Sequence, residues 1–182
     1  MTGTVYTIGH STRAIEAVLA LLARERIELL IDVRSFPGSK RYPQFGREAL
    51  ERSLAAGGIR YVHAPALGGR RAPRPDSPNI AWRNAGFRGY ADYMETDEFR
   101  SALEALVGRA ADARTTVMCA EAVPWRCHRS MISDALTARG VEVLHILDAG
   151  TQPHSLTRFA RVVNGGIRYG APVGEPDLFS GV

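Results

Sequence analysis

The chain of 182 residues is almost without lysine: Lys40 is the only one, and arginine carries nearly all the positive charge behind a modest net +4. Arginine presents a planar fork of donors that fits carboxylate and phosphate, so an anionic ligand is expected. A biased base composition of the coding sequence is the plainer source of the excess as a whole, though not of arginines that sit inside motifs. Cysteine is equally scarce, with Cys119 and Cys127 alone. Two thiols do not make a disulfide framework and read as free thiols, metal ligands or a redox pair. No uninterrupted apolar run approaches the roughly 20 residues of a membrane span, so no membrane partner is expected. The start, MTGTVYTIGHS, lacks the basic and apolar stretches of an export signal, and a cytoplasmic protein is expected.

What the chain does have is an alternation of short β-rich runs with longer helical ones. TVYTIG (4–9), ELLIDVR (28–34), IRYVHA (59–64), TTVMCA (115–120) and VEVLHIL (141–147) read as five strands. The stretch 12–27, with apolar residues at 15, 18, 19 and 22 and Thr12 as N-cap, reads as a helix. So do 45–58 and 127–140, each closed by glycine, while 87–110 reads as one or two helices. This order predicts a single α/β domain over 1–148, a three-layer sandwich with a mainly parallel five-stranded sheet and helices on both faces. A Pro-, Gly- and Arg-rich loop at 64–85 interrupts it as a lid or anion-contacting flap. From 149 to 182 a C-terminal arm without clear period is expected to pack on the same domain.

On that scheme the reactive residues fall at strand ends. His10 and Ser11 follow the first strand; Asp32, Arg34 and Ser35 end the second; His63 and the Gly68-Gly69 pair follow the third. Cys119 and Glu121 end the fourth, Cys127, His128 and Arg129 open the next helix, and His145 and Asp148 lie near the fifth. A parallel sheet brings all its C-terminal strand ends to one edge, where open α/β folds bind ligands. The segment CAEAVPWRCHR (119–129) is the densest part of this set. A thiol at a helix start beside Arg126, His128 and Arg129 is placed for a depressed pKa, which makes Cys127 the candidate nucleophile and the free N–H groups there an anion cradle. Glu121, Asp32, His10 and His128 are the candidate acids and bases. Arg34, Arg126, Arg129, Ser11, Ser35, Gly68 and Gly69 are the candidate substrate contacts. Each has an ordinary alternative: His10 as a turn hydrogen bonder, Asp32 as a loop cap with Arg34 as its partner, both thiols as small buried hydrophobes. A metal site of Cys119, Cys127, His128 and His10 or His63 is disfavoured by the C-x7-C-H spacing, and no metal is expected.

TIGHS (7–11), DVRSFPGS (32–39), YVHAPALGG (61–69), FRGYADYM (87–94) and CAEAVPWRCHR together resemble the bacterial and archaeal proteins grouped as "domain of unknown function 488". The resemblance covers residues 4 to about 148. It implies a compact α/β domain and a site at the strand ends, carried by His10, Ser11, Asp32, Arg34, Ser35, Glu121, Cys127, His128 and Arg129, and it supplies no reaction, substrate or cofactor. A weaker likeness at the level of fold joins LLIDVRSFP and the 115–146 stretch to rhodanese-like domains. The loop from Cys119 to the arginines is longer here than in rhodanese-like enzymes, which leaves Cys127 as the better-placed thiol. The expected function is an enzyme acting on an anionic or nucleotide-like small molecule. A nucleic-acid-binding or processing module, with Trp82 and Phe87 among the arginines of 70–88, and a metal-binding or redox-sensing regulator are the alternatives.

Overall fold

The computed structural model describes residues 3–38 and 40–170. Six strands form one sheet in the order β3-β2-β4-β1-β5-β6, built from β1 (Val5–Gly9), β2 (Leu29–Asp32), β3 (Arg60–His63), β4 (Thr115–Cys119), β5 (Val143–Leu147) and β6 (Gly150–Pro153). The first five strands run parallel, and β6 is antiparallel to β5. The α/β class and the mainly parallel sheet are as the sequence predicts, with one strand more. β6, with the sequence GTQP, pairs through its backbone against the free edge of β5 and is largely exposed, so it carries no apolar alternation to read.

Side chains alternate between the faces of the sheet, and this decides where each helix packs. Tyr6, Ile8, Leu30 and Met118 face α1 (Ile15–Arg24) and α2 (Arg47–Ala56), meeting Val18, Leu22, Leu50 and Leu54. Val5, Leu29, Ile31 and Val117 face α3 (Ala85–Tyr93), α4 (Asp97–Asp112) and α5 (Arg129–Ala138), meeting Tyr90, Phe99, Leu103, Met131 and Ile132. Cys119 follows Val117 on that second face. The result is a three-layer sandwich. The 87–110 stretch divides at Thr96, whose side chain caps α4 by accepting from the Phe99 N–H. Helix α1 starts at Ile15 after Ala14, with no side-chain cap, so Thr12 does not take the expected role.

The 149–170 part of the C-terminal arm is also more regular than its sequence suggests. After β6 it forms a hairpin of β7 (Ala160–Val163) and β8 (Gly166–Tyr169), turned at Asn164 and Gly165, both with positive φ. Ala160, Ile167 and Tyr169 join the α3–α5 side of the core, while the outward residues of β7 are exposed. The ending APVGEPDLFSGV (171–182) and Ser39 lie outside the described residues.

The connections position the site. After β2 the chain turns to α2 on one face, whereas after β4 it turns to α5 on the other. Neighbouring strands whose loops part in this way leave a crevice at their C-terminal ends. The 64–85 loop closes one side of it. That loop is pinned by Asn79, fully buried, which accepts from the Tyr169 N–H and donates to Asp92, and by the Tyr90 and Tyr93 hydroxyls donating to the Leu67 and Ala66 carbonyls.

Candidate functional site

A cavity of about 260 Å³ opens between the β2 and β4 loops. Its lining includes Arg34, Ser35 and Phe36 after β2, Gly69 and Arg70 from the long loop, Cys119, Ala120 and Glu121 after β4, and Cys127 and His128 before α5. Phe36 is 74 % exposed at the mouth, with the Arg70 guanidinium 5.9 Å over its ring. The Ser35 hydroxyl donates to the Gly69 carbonyl at 2.9 Å. A Cβ at Gly68 would press on Ser35 Oγ, and one at Gly69 would sit 3.0 Å from His128 Nδ1, so the glycine pair lets the loop close on both.

The two thiols meet inside this cavity. Cys127 Sγ lies 3.0 Å from Cys119 Sγ, Cys119 Sγ approaches the Glu121 carbonyl at 3.7 Å, and both cysteines are free and buried. The Arg129 N–H points at Cys127 Sγ at 3.5 Å, and His128 Nδ1 stands 3.4 Å from the same sulfur. Burial pushes the Cys119 thiol up, but the hydrogen bond from Cys127, the Arg129 charge and the loop backbone outweigh it and hold Cys119 below the ordinary thiol value. Cys127 goes the other way: its hydrogen bond to Cys119 and its own burial keep it well above that value. Within the pair the proton is therefore held more firmly on Cys127 than on Cys119. From the helix start alone the order is expected to be reversed. A sulfur that donates to a neighbouring thiolate keeps its proton, which outweighs the positive helix end.

Arg129 brings a positive charge that favours the ionised form of either sulfur, while the hydrogen bond from Cys127 to Cys119 sets them apart. Arg129 is 1 % exposed, its Nη2 donates to the Ala122 carbonyl at 3.3 Å, and its Nε and Nη1 have no hydrogen-bond partner. Among the described residues no carboxylate lies within ion-pair distance of it. A buried cation without a carboxylate is costly unless another anion balances it. Gly9 makes room for the arrangement: a Cβ there would collide with the Glu121 carbonyl oxygen and lie 2.8 Å from Arg129 Nη1. The backbone N–H groups of His10 and Ser11 then tie the two loops together by donating to Cys119 and Ala120.

The other sequence candidates fall into two groups. Asp32, fully buried, is locked by Arg34 through Nε to Oδ1 (2.9 Å) and Nη2 to Oδ2 (2.6 Å), and by the Tyr61 hydroxyl at 2.9 Å. It lies outside the cavity lining and orients Arg34. Arg34 Nη1 is 3.3 Å from His10 Nε2, and His10 Nδ1 is 2.8 Å from the Ser11 carbonyl, so the ring donates at one nitrogen and accepts at the other. His10 stacks on Phe45 with centroids 4.2 Å apart, and its burial holds the pKa down at about 4. His128, half-buried with Nε2 3.3 Å from the Val33 carbonyl, is likewise lowered to about 4, chiefly by desolvation. Ser11 and Arg126 lie outside the cavity lining, and Arg126 is exposed. No group of three or more His, Cys, Asp or Glu among the described residues is placed to hold a metal ion.

A second polar cluster, absent from the sequence-based candidates, lies on the other side of the 119–129 segment. Thr7 Oγ1 is 2.7 Å from His145 Nδ1, His145 Nε2 is 3.0 Å from His154 Nδ1, and His154 Nε2 is 2.9 Å from Asp134 Oδ1. Asp134, fully buried, also accepts from the Thr157 N–H and the Tyr169 hydroxyl. Because a carboxylate only accepts, the protons order themselves: Thr7 donates to His145, His145 to His154, and His154 to Asp134. Burial, then the neighbouring His154, lowers the His145 pKa to about 3. The two histidines border a cavity of about 330 Å³ walled by Trp82, Trp125 and Phe159. The sequence signal was the i, i+9 histidine pair with an aspartate inside α5, too sparse to read without the β5-β6 hairpin.

The family model described as domain of unknown function DUF488 matches residues 14–136. No curated protein and no solved structure matches the chain. No helix among the described residues is long and apolar enough to cross a membrane.

Proposed function

Since the chain belongs to the DUF488 family, whose description names no reaction, we propose its activity from the site: a thiol-dependent enzyme acting on a small anionic substrate. The observation that carries this reading is the Cys119–Cys127 contact of 3.0 Å inside a cavity that also holds Arg34 and Arg70. Cys119 is the nucleophile, because its neighbours lower its pKa below the ordinary thiol value. Cys127 is the proton donor, its sulfur held beside Cys119 with His128 Nδ1 at 3.4 Å. Arg34 and Arg70 take the anionic group of the substrate, and Asp32 and Tyr61 hold Arg34 in register for it. Arg129 acts from behind the sulfur as a positioning charge.

Alkylation tests this without a known substrate. Iodoacetate carries the negative charge that the arginines favour, and iodoacetamide is its neutral counterpart. Iodoacetate is expected to modify Cys119 near neutral pH, faster relative to iodoacetamide than it modifies a small free thiol, and inorganic phosphate should slow it. Modification confined to Cys127, or a preference for iodoacetamide that phosphate leaves alone, overturns the proposal.

A further inference from the structure

Resting on that reading, we infer that the Cys119–Cys127 pair performs dithiol–disulfide exchange with a small anionic disulfide, Cys119 attacking and Cys127 resolving. Nucleophilic thiol enzymes in general need one sulfur. Here a second sulfur is held 3.0 Å from the first, eight residues on in the chain, and both line the same cavity. A disulfide bond is about 2.05 Å long, so closure requires the sulfurs to approach by roughly 1 Å. Cys119 is fixed in the sheet opposite Gly9, whereas Cys127 sits in extended backbone (φ −140°, ψ 150°) between the 3-10 turn Pro124–Arg126 and α5. The link carrying Cys127 is the part free of sheet pairing.

The chemistry balances as follows. The Cys119 thiolate attacks one sulfur of R–S–S–R; the substrate S–S bond breaks, and the leaving RS⁻ takes the proton from Cys127. The new Cys127 thiolate attacks Cys119 Sγ, the bond from Cys119 to the bound RS group breaks, and the second RS⁻ departs. The substrate is reduced by two electrons and the cysteine pair is oxidised to a disulfide. Excess small thiol reverses both steps. The asymmetry between the sulfurs suits this order, since the ionised one is ready to attack and the protonated one supplies the first proton. Arg70 in the lining, in no ion pair among the described residues, favours negative charge on R, and Arg34, whose charge Asp32 already balances, offers its remaining N–H groups.

The test uses the reduced full chain and three disulfides: glutathione disulfide (anionic), hydroxyethyl disulfide (neutral) and cystamine (cationic), read by intact mass. Wild type is expected to lose two hydrogens, reacting about tenfold faster with glutathione disulfide than with cystamine. Cys127→Ser is expected to stop as a mixed disulfide at Cys119, and Cys119→Ser to form no intramolecular bond. Wild type that stops at the mixed disulfide, or that prefers cystamine, overturns the inference. Should wild type form no disulfide while iodoacetate still modifies Cys119 rapidly, the exchange reaction falls and the thiolate site stands. If both reactions fail, both readings fall.

Discussion

The segment 119–129 separates two clusters of buried polar residues that differ in how completely their hydrogen-bonding capacity is spent. On the His145 side, every imidazole nitrogen has a partner, and the Asp134 carboxylate accepts from a histidine, a tyrosine and a backbone N–H. On the Cys119 side, Arg129 keeps Nε and Nη1 without partners, and two sulfurs lie 3.0 Å apart in an open cavity. A saturated network holds elements together, here β1, β5, α5 and the C-terminal hairpin. An unsaturated one retains charge and reactivity for a ligand at some expense of stability. From this contrast we propose that the first cluster serves the fold and the second the chemistry.

Acid is the broadest way to break both regions. His10 and His128 titrate at about 4 and His145 at about 3, against an ordinary value near 6.5. Below pH 6.5 the unfolded chain takes up protons that the folded protein refuses, so stability falls as pH falls toward 4. The loss is about 1.4 kcal/mol per pH unit for each histidine at full imbalance. Thermal melts at pH 7.5 and 5.5 should show a clear drop in Tm, and a flat profile contradicts the burial of these rings. Asp134→Ala is next in size. It strands three buried donors and should cost about 3–5 kcal/mol, roughly 10 °C in Tm, while Cys119 in the folded protein keeps its alkylation rate.

Gly9→Ala acts on the boundary between the regions. Its methyl has no space beside the Glu121 carbonyl and Arg129, so a loss of about 1–3 kcal/mol is expected by calorimetry, together with slower alkylation. Arg129→Met separates the two regions most cleanly. Removing a buried, under-partnered cation should leave stability unchanged or raise it, yet shift the pH midpoint of Cys119 alkylation upward by about one unit. A large fall in Tm with an unmoved midpoint reverses the assignment of Arg129.

Much of this was legible from local pattern. The five parallel strands, their helices and the convergence of His10, Asp32, Arg34, Glu121, Cys127 and His128 near one sheet edge follow from apolar runs and turn residues. What escaped depends on pairing at a distance. β6 and the hairpin are defined by backbone partners rather than by apolar period, and the His145–His154–Asp134 chain exists only because β6 folds back along β5. Asp32 pairs with Arg34, the local partner that the sequence offers, whereas its second partner, Tyr61, is 29 residues away on β3 and is not legible from local pattern. The sequence points to Cys127 as the nucleophile, and we propose Cys119 instead. The helix start beside Cys127 is visible in sequence, whereas the buried Arg129 charge and the 3.0 Å sulfur contact are not.

We propose that Cys119, rather than Cys127, is the sulfur that ionises first. The ultraviolet absorbance of thiolate, followed against pH in wild type and in the two serine variants, measures it directly. Wild type should show one thiolate with a midpoint below the ordinary thiol value; Cys119→Ser should lose it, and Cys127→Ser should keep a thiolate whose midpoint has moved up. A low-pH thiolate that survives in Cys119→Ser and vanishes in Cys127→Ser would contradict the account.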